Sequence, residues 1–398
     1  MAAPKSQPAI LWLQVGGLAM VQGAIGLSWI IYSLYLPQLF DQAGLPKTWV
    51  PPLLIFENLL AVVMEPLVGA QSDRMQRWIG TKFPLIALGV ILATGLFIGL
   101  PVLVVTASLN PLIRWVLPLT AVAWALAMTL FRSPVLAFLG KYAFASNLPQ
   151  AASILTLVGA VAGTMGSFAN QWILSWGPIV AFGTGSLVLL LAVLVLRLVD
   201  ARVPASPATK AALLEGVSLP RLGLIFGAGI GITLGSALMR LLLNSPGGTV
   251  AGNNLLLTFT IAHLLTIVPA GWVASKTGAL KAMLLGSVGA GLALLGVGLT
   301  FSAWPSLVAI VLLGASISLV FNGTIPFALI LVPPTRAGLG TGLYFGGAAL
   351  AGSLFGSAQP LVRGLPAIAL ALLGMAGFLL ATGCIGIARY QKLHQKPA

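Results

Sequence analysis

Two acidic side chains, Glu57 and Glu65, lie inside one long apolar stretch of a chain that has only six acidic residues. An ionised group at the centre of an apolar membrane helix costs at least ~2.5–3.5 kcal/mol, so such residues mark functional sites by default. Glu57 lies about 21 Å from the cytoplasmic end predicted for its stretch, and the first half of the chain places no basic residue at that depth. A carboxyl group without a partner there is protonated much of the time. This predicts a proton-coupling site.

Two basic residues lie at matching depths in other apolar stretches. His263 is about 18 Å along its own helix, and an imidazole titrates near neutral pH. Proton coupling through Glu57 or through His263 therefore stays open. Arg132 and Glu65 lie about 12 and 9 Å from the same end of their helices, which predicts an intramembrane ion pair that either supports the structure or moves during gating.

Candidate substrate contacts come from polar and aromatic residues in the apolar stretches. Gln22, Gly26, Trp29 and Ser33 follow one another at offsets of four, three and four residues, which places them on one helical face. Amide, indole and hydroxyl groups suit a hydroxyl-rich or neutral ligand. The predicted substrate-binding residues are Gln22, Trp29, Ser33, Asn58 and Asn322. Each of them could instead only join neighbouring helices.

The elements that position these residues are membrane-spanning helices. Charged residues make up 7% of the chain and apolar residues 59%, whereas ordinary soluble domains have about 25% charged residues. Because lipid offers no partner for backbone polar groups, apolar runs of about 20 residues must be helices. The fold class is therefore an all-α polytopic membrane protein. Its twelve predicted spans are residues 10–40, 50–71, 83–106, 115–140, 150–174, 178–199, 222–243, 253–275, 282–303, 306–332, 337–358 and 366–388.

The formal net charge of +14 is explained by topology and gives no reason to expect nucleic acid as a partner. With a cytoplasmic N-terminus, fifteen of the twenty basic residues fall in loops or termini on the cytoplasmic side, as the positive-inside rule requires. Both termini are then predicted to be cytoplasmic, and a bacterial inner membrane is the expected location. The protein is expected to be a monomer in the bilayer.

One break in hydrophobicity divides the chain. Residues 200–220 are rich in Pro, Ala and Ser, and they separate six predicted spans from six. The predicted domains are an N-terminal bundle of residues 1–199, a cytoplasmic linker of residues 200–220 and a C-terminal bundle of residues 221–398. Two such repeats with the same topology place a substrate site between them, near the middle of the membrane.

A polar stretch between the second and third spans carries a recognisable pattern. GAQSDRMQRWIGTK, residues 69–82, resembles the signature loop of the major facilitator superfamily, whose pattern is matched by Gly69, Asp73, Arg74, Arg77, Gly80 and Lys82. In that family the loop latches one face of the transporter closed, which implies a gating loop here. A weaker copy begins 202 residues later, at Gly271, with Ser275 in place of the acid. An acid-based latch should therefore be one-sided.

A finer resemblance covers about forty residues. FENLLAVVMEPLVGAQSDR and FRSPVLAFLGKY, with Arg132, Ser133 and Pro134, resemble the branch of sucrose transporters and glycoside-pentoside-hexuronide cation symporters. That branch implies a sugar as substrate and a cation as coupling ion. The chain departs from the branch at Lys141, near the position of an acid, and at Gln150, where a basic residue is expected. Both departures weaken the transfer of substrate and coupling ion.

The sequence contains no nucleotide-binding motif, no metal-ligand spacing and no nucleophile motif with a plausible His partner, so no cofactor, metal or enzymatic activity is predicted. The expected function is secondary active transport of a sugar or similar neutral solute, coupled to protons, by alternating access. Two alternatives stay open. One is an exporter of amphipathic compounds, and the other is a non-transporting assembly factor or sensor for another membrane protein.

Overall fold

The computed structural model describes residues 9–107, 113–202, 218–244, 255–299 and 303–394. The long helices in these ranges, numbered in chain order, are α1 Trp12–Gln42, α2 Val50–Ile79, α3 Phe83–Ala107, α4 Val116–Leu136, α5 Leu148–Phe168, α6 Pro178–Asp200, α7 Leu219–Leu243, α8 Leu255–Thr277, α9 Ala279–Leu299, α10 Ala303–Ile330, α11 Ala337–Val362 and α12 Ala367–Leu393. Short helices at Leu139–Tyr142 and Asn170–Ser175 follow α4 and α5 in the chain. Most of the predicted linker, residues 203–217, lies outside the described residues.

Eleven of these helices in the described ranges are long and apolar enough to cross a membrane. The twelfth, α11, has a similar length but contains seven glycines, which lower its mean hydropathy. Its glycines lie in close contact with α2, α7 and α10. The chain is an integral membrane protein of the all-α class, as the sequence predicts.

The helix α2 is longer than predicted. Beyond the predicted span of residues 50–71, α2 continues through Ile79 for about two more turns, and the helix ends at Gly80 in a left-handed conformation with φ of 80°. Hydropathy shows where a helix leaves the apolar layer. It cannot show whether the polar residues that follow are still helical. Asp73, Arg74 and Arg77 therefore lie on the last turns of a helix.

The helices pack as two bundles of six. In the first bundle α1 packs on α5 and α6, while α3 packs on α4 and α6, and α2 packs on α4. In the second bundle α7 packs on α11 and α12, and α9 and α8 both pack on α10. The two bundles meet mainly through α2 against α11 and through α5 against α8. The end of the molecule where α2 ends and α3 begins is called the basic end below.

The crossing of α2 and α11 depends on glycine. Gly69 and Gly338 lie so close that a Cβ atom on either would overlap the carbonyl oxygen of the other. One turn further along α11, Gly342 lies directly against the carbonyl group of Glu65. At these levels the two backbones touch, which only glycine permits.

Gly342→Ala is expected to destabilise the protein by about 1–3 kcal/mol, because the added methyl group must push against the Glu65 backbone. Gly383→Ala is the matched control, since Gly383 is an exposed glycine inside α12 with open space around its Cβ position. That control should be neutral or slightly stabilising. The measurement is the thermal unfolding midpoint of each purified variant, and equal midpoints for the two would contradict the proposed tight crossing.

Candidate functional site

A cavity lies on the inner side of the first bundle, between α1, α2 and α4. The space between its lining residues amounts to about 400 Å³ when the part that is open to solvent is included. Its edge reaches the second bundle, because Arg132 in its wall stacks over the ring of Phe345 on α11, 4.5 Å from the ring centre. The residues that line this inner cavity are Trp29, Leu54, Glu57, Asn58, Ala61, Ala125, Met128, Thr129 and Arg132.

Glu57 is buried in the cavity wall and has a partner that the sequence did not indicate. Tyr32 of α1 donates a 2.5 Å hydrogen bond to Glu57 Oε1, and 5% of Glu57 is exposed. Tyr32 is itself held by Trp124, with ring centres 4.2 Å apart. A phenol orients the carboxyl group without supplying a positive charge, so Glu57 has no counterion in this contact.

Glu57 lies in the part of α2 that is far from the basic end. Because α2 begins at Val50, Glu57 lies seven residues from the start of the helix, about 10 Å along its axis. The polar continuation of α2 to Ile79 lies beyond the predicted apolar span, so it leaves the expected depth of Glu57 unchanged.

Two hydrogen-bond donors at the cavity are buried and have no acceptor among the described residues. They are Nε1 of Trp29 and Nε of Arg132. Asn58 donates to the carbonyl of Leu54 in its own helix, which leaves its side-chain oxygen available as an acceptor. An unsatisfied buried donor costs about 1–3 kcal/mol. Trp29 and Arg132 both line the cavity, so a ligand with oxygen acceptors would satisfy these donors once the side chains turn toward it.

Glu65 and Arg132 form an ion pair just beyond the cavity. Arg132 Nη2 lies 2.5 Å from Glu65 Oε1, in the geometry of an ion pair and without an aligned hydrogen bond at that oxygen. Ser133 donates a hydrogen bond to the other carboxylate oxygen. Glu65 is completely buried, whereas 21% of the Arg132 side chain is exposed. The charge of Arg132 is therefore balanced inside the first bundle.

The ion pair is joined to the second bundle at two points. Thr341 of α11 donates a 3.0 Å hydrogen bond to the carbonyl of Ser133, and Arg132 stacks on Phe345 one turn further along α11. Any separation of α4 from α11 must break both contacts. The cavity and the helix crossing at the basic end are thus linked by directly touching groups.

At the basic end, Asp73 caps the N-terminus of α11. Its two carboxylate oxygens accept hydrogen bonds from the backbone amides of Gly338, at 2.9 Å, and of Leu339, at 2.8 Å. Lys82 adds an ion pair at 2.6 Å, and both charged groups are buried. Free amides and the positive end of the helix dipole make such a terminus a favourable place for a carboxylate.

The two arginines of the predicted gating loop differ from Asp73 in their surroundings. Arg74 and Arg77 are both exposed, and the Arg74 guanidinium lies over the ring of Trp78, 4.4 Å from its centre. Within this loop, the contacts to α11 are made by Gly69 and Asp73.

The structure does not bring His263 and Asn322 to the inner cavity. His263 Nδ1 lies 2.8 Å from the hydroxyl of Ser318, and its ring stacks on Phe259. Asn322 is fully buried and donates to the carbonyl of Ile267. Both side chains lie between α8 and α10, inside the second bundle. The prediction that Asn322 lines the substrate site is therefore not supported by its position in this conformation.

The predicted stripe on α1 divides between different surroundings. Trp29 lines the cavity, but Gln22 lies beside Gly159 of α5, and Gly26 lies beside Ala162 of the same helix. Ser33 is exposed and bonds to the carbonyl of Ile30 in its own helix. The face of α1 that carries these four residues contacts more than one neighbouring helix. Their helical spacing therefore did not place them in one binding site.

Sequence reasoning missed Tyr32, Thr341 and Phe345. No spacing rule connects residues on α1 or α11 with a carboxylate on α2, because those contacts depend on how the helices cross. Lys82 was recognised only as part of the family pattern, and its ion pair with Asp73 was not anticipated.

The chain matches no family model and no curated protein sequence, but solved structures share its fold. FucP, a major facilitator superfamily transporter in the outward conformation, aligns with a TM-score of 0.66 at 13% identity, over 94% of this chain and 98% of its own. A bacterial homologue of the iron transporter ferroportin in the outward-facing state aligns with a TM-score of 0.70 at 17% sequence identity, over 95% of this chain and 98% of its own. The proton:xylose symporter XylE aligns with a TM-score of 0.65 at 13% sequence identity, over 93% of this chain and 94% of its own. The chain therefore has the major facilitator fold.

Proposed function

We propose that the protein is a secondary transporter that moves a small neutral solute, such as a sugar, by alternating access and couples the movement to protons through Glu57. The observation that carries this proposal is a buried carboxyl group with a phenol as its hydrogen-bond partner in the wall of a cavity. A carboxyl group of this kind can bind and release a proton when the cavity changes its solvent access. The fold, with two bundles around such a cavity, supports alternating access.

The polar groups of the cavity support a neutral, oxygen-rich solute. Trp29 and Arg132 present donors without acceptors, and the positive charge of Arg132 is already balanced by Glu65. A substrate anion would therefore find no free counter-charge in these two residues. Hydroxyl and ether oxygens fit both donors, which agrees with the resemblance to sugar-transporting families. The solved relatives with this fold include a proton:xylose symporter and a ferroportin homologue, so the fold supports more than one substrate class.

The basic end carries the gate of the proposed cycle. Two helix crossings close this end: α2 against α11, where Asp73 binds the amides of α11, and α5 against α8, where Gly271 lies against Ser153. The positive-inside rule supports a cytoplasmic position for the basic end and for both termini, in a bacterial inner membrane. The structure then corresponds to a state closed toward the cytoplasm.

The test is solute uptake by purified protein in proteoliposomes. A panel of radiolabelled sugars and polyols is offered with an inward proton gradient, with and without a protonophore, and hydrophobic cations are offered in parallel. Uptake of one sugar that the protonophore abolishes supports the proposal. Movement of hydrophobic cations alone would favour an exporter of amphipathic compounds. If no solute moves and a membrane protein copurifies stoichiometrically, the non-transporting function replaces the proposal.

His263→Gln is expected to leave proton-driven accumulation unchanged, because the His263 side chain is held between α8 and α10 and does not line the cavity. The loss of its bond to Ser318 should cost about 0.5–1.5 kcal/mol of stability. Accumulation ratio and thermal unfolding midpoint are measured on the same preparation. A lost accumulation ratio with an unchanged midpoint would transfer the coupling role to His263.

A further inference from the structure

The two helix crossings that close the basic end are related by the internal repeat but are built differently. Gly271 on α8 lies 202 residues after Gly69 on α2. Gly69 meets the carbonyl of Gly338 at the start of α11, and Gly271 meets Ser153 and the carbonyl of Pro149 at the start of α5. The α2–α11 and α5–α8 crossings are therefore equivalent positions in the two halves.

Only the first of these crossings has a charged cap. Four residues after Gly69, Asp73 accepts hydrogen bonds from the Gly338 and Leu339 amides of α11. Four residues after Gly271, the hydroxyl of Ser275 bonds to the carbonyl of Trp272 in its own helix. Asn147, the residue that precedes α5, makes no side-chain hydrogen bond to the amides of that helix. A carboxylate that caps a helix and interacts with the helix dipole stabilises the contact between two helices more than packing alone does.

The backbone of α5 also limits what a cap could do there. The residue of α5 whose carbonyl meets Gly271 is Pro149, the counterpart of Gly338, and proline has no amide hydrogen to donate. Of the two amides that Asp73 binds on α11, α5 can offer only the equivalent of the second, that of Gln150. The amide of Ala151 is already bonded to the carbonyl of Asn147.

Further contacts strengthen the α2–α11 side. Thr341 donates to the carbonyl of Ser133, and near the opposite end of the molecule Ser353 donates to the carbonyl of Ile55. Polar contacts to α11 are therefore present at both ends of the molecule, and α2 accompanies α11 along most of its length. An interface between α2 and α11 that is held at both ends can stay closed while other helices of the two bundles separate, as a hinge does.

We propose that the basic end opens asymmetrically: the α5–α8 crossing separates first, and the α2–α11 crossing stays closed as the hinge. This inference rests on the proposed alternating access and adds the order and the location of the opening. The solute would then leave the cavity toward the basic end between α5 and α8. Asp73 and Lys82 would hold the hinge and would not be the part of the gate that opens first.

The test measures two distances in one molecule by spin-label spectroscopy. Replacement of the single cysteine, Cys384→Ser, gives the background. Label pairs replace Ser146 and Thr277 across the α5–α8 crossing, and Gln76 and Arg336 across the α2–α11 crossing. Distance distributions are recorded in lipid nanodiscs from pH 5 to pH 8. We expect a longer distance to become populated for the 146/277 pair while the 76/336 pair keeps a single short distance.

Three substitutions give the inference its controls. Asp73→Asn should raise the population of molecules with a separated 76/336 pair about tenfold. The negative charge of Asp73 at the N-terminus of α11 favours the closed crossing over the separated one by about a factor of ten. Ser275→Asp should lower the separated population of the 146/277 pair about threefold, since only one amide of α5 is free to donate a hydrogen bond to the new carboxylate. Ser275→Asn, which adds no charge, should change that population less.

The outcomes separate this inference from the proposed function. If both pairs lengthen together in the wild type, or the 76/336 pair lengthens first, the asymmetric opening is overturned while alternating access stands. An unchanged 76/336 distribution in Asp73→Asn also overturns it. If neither pair lengthens at any pH, the basic end does not open, and both the inference and alternating access are wrong.

Discussion

Glu57→Gln is expected to abolish solute accumulation against a gradient while leaving solute exchange intact. With one proton moved per solute, a gradient of two pH units can drive about 100-fold accumulation, since each unit is worth about 1.4 kcal/mol. A glutamine keeps the shape of the side chain and can still accept the hydrogen bond of Tyr32, but it cannot release a proton. The accumulation ratio should therefore fall to about one, while exchange of labelled for unlabelled solute continues.

Tyr32→Phe is the matched control, because it removes the hydroxyl group that holds Glu57 and keeps the ring that packs on Trp124. Accumulation should persist in this variant with an altered pH dependence, since the carboxyl group remains but loses one hydrogen bond. Both ratios are measured in proteoliposomes with the solute found in the uptake screen. Full accumulation by Glu57→Gln would remove Glu57 from the coupling step.

Breaking the Glu65–Arg132 pair is expected to have the largest effect on stability. Arg132→Met leaves a carboxylate that is completely buried without its counterion, and loss of one partner of a buried pair costs about 3–5 kcal/mol. Glu65→Gln should cost less, because Arg132 is partly exposed and can reach water. The double variant Glu65→Gln/Arg132→Met should recover most of the loss, since no unpaired charge remains.

The thermal unfolding midpoint of each purified variant ranks these effects. Lys47→Ala supplies the control, because Lys47 pairs with Asp41 at 3.0 Å while both side chains are more than half exposed, and such a pair contributes less than about 1 kcal/mol. The expected order from most to least destabilised is Arg132→Met, Glu65→Gln and Lys47→Ala. A double variant as unstable as Arg132→Met would show that the pair is not the source of the loss.

A chain of contacting groups connects the cavity with the basic end. Arg132 lines the cavity and pairs with Glu65, and Ser133 beside it receives the hydrogen bond of Thr341. Thr341 is on the same helix as Gly338, whose carbonyl is an alternative acceptor for the Thr341 hydroxyl and whose amide donates to Asp73. A solute that engages the free donor of Arg132 would therefore act on a group that is already joined to α11. Such a chain of contacts is one route by which a binding site and a gate can be coupled, and a coupling energy between Arg132 and Asp73 in a double-mutant cycle would demonstrate it.

The fold class followed from the sequence because the membrane permits few backbone solutions. Apolar runs of sufficient length fixed the number and order of the helices, and the repeat spacing fixed the equivalence of Gly69 and Gly271. The end of α2 could not be read in the same way, because Arg74 and Arg77 are polar whether the backbone is helical or not.

The candidate site was only partly predictable. Glu57 and Trp29 were found because polar and aromatic groups are costly in apolar helices, and the structure places both at the cavity. Asn322 satisfied the same criterion, but it lies between α8 and α10 and bonds to Ile267. Rarity of a polar residue indicates that it has a partner or a ligand, and only the packing of the helices distinguishes these two cases.

The most direct test of the central claim is the proton flux that accompanies solute movement. Proteoliposomes containing a pH-sensitive dye receive the sugar identified by uptake, without any imposed gradient, and the wild type is compared with Glu57→Gln in the same experiment. Proton movement that starts with sugar addition in the wild type and is absent from Glu57→Gln, while both proteins exchange the sugar, is the predicted result. Sugar transport by the wild type without proton movement, or an unchanged flux in Glu57→Gln, would contradict it.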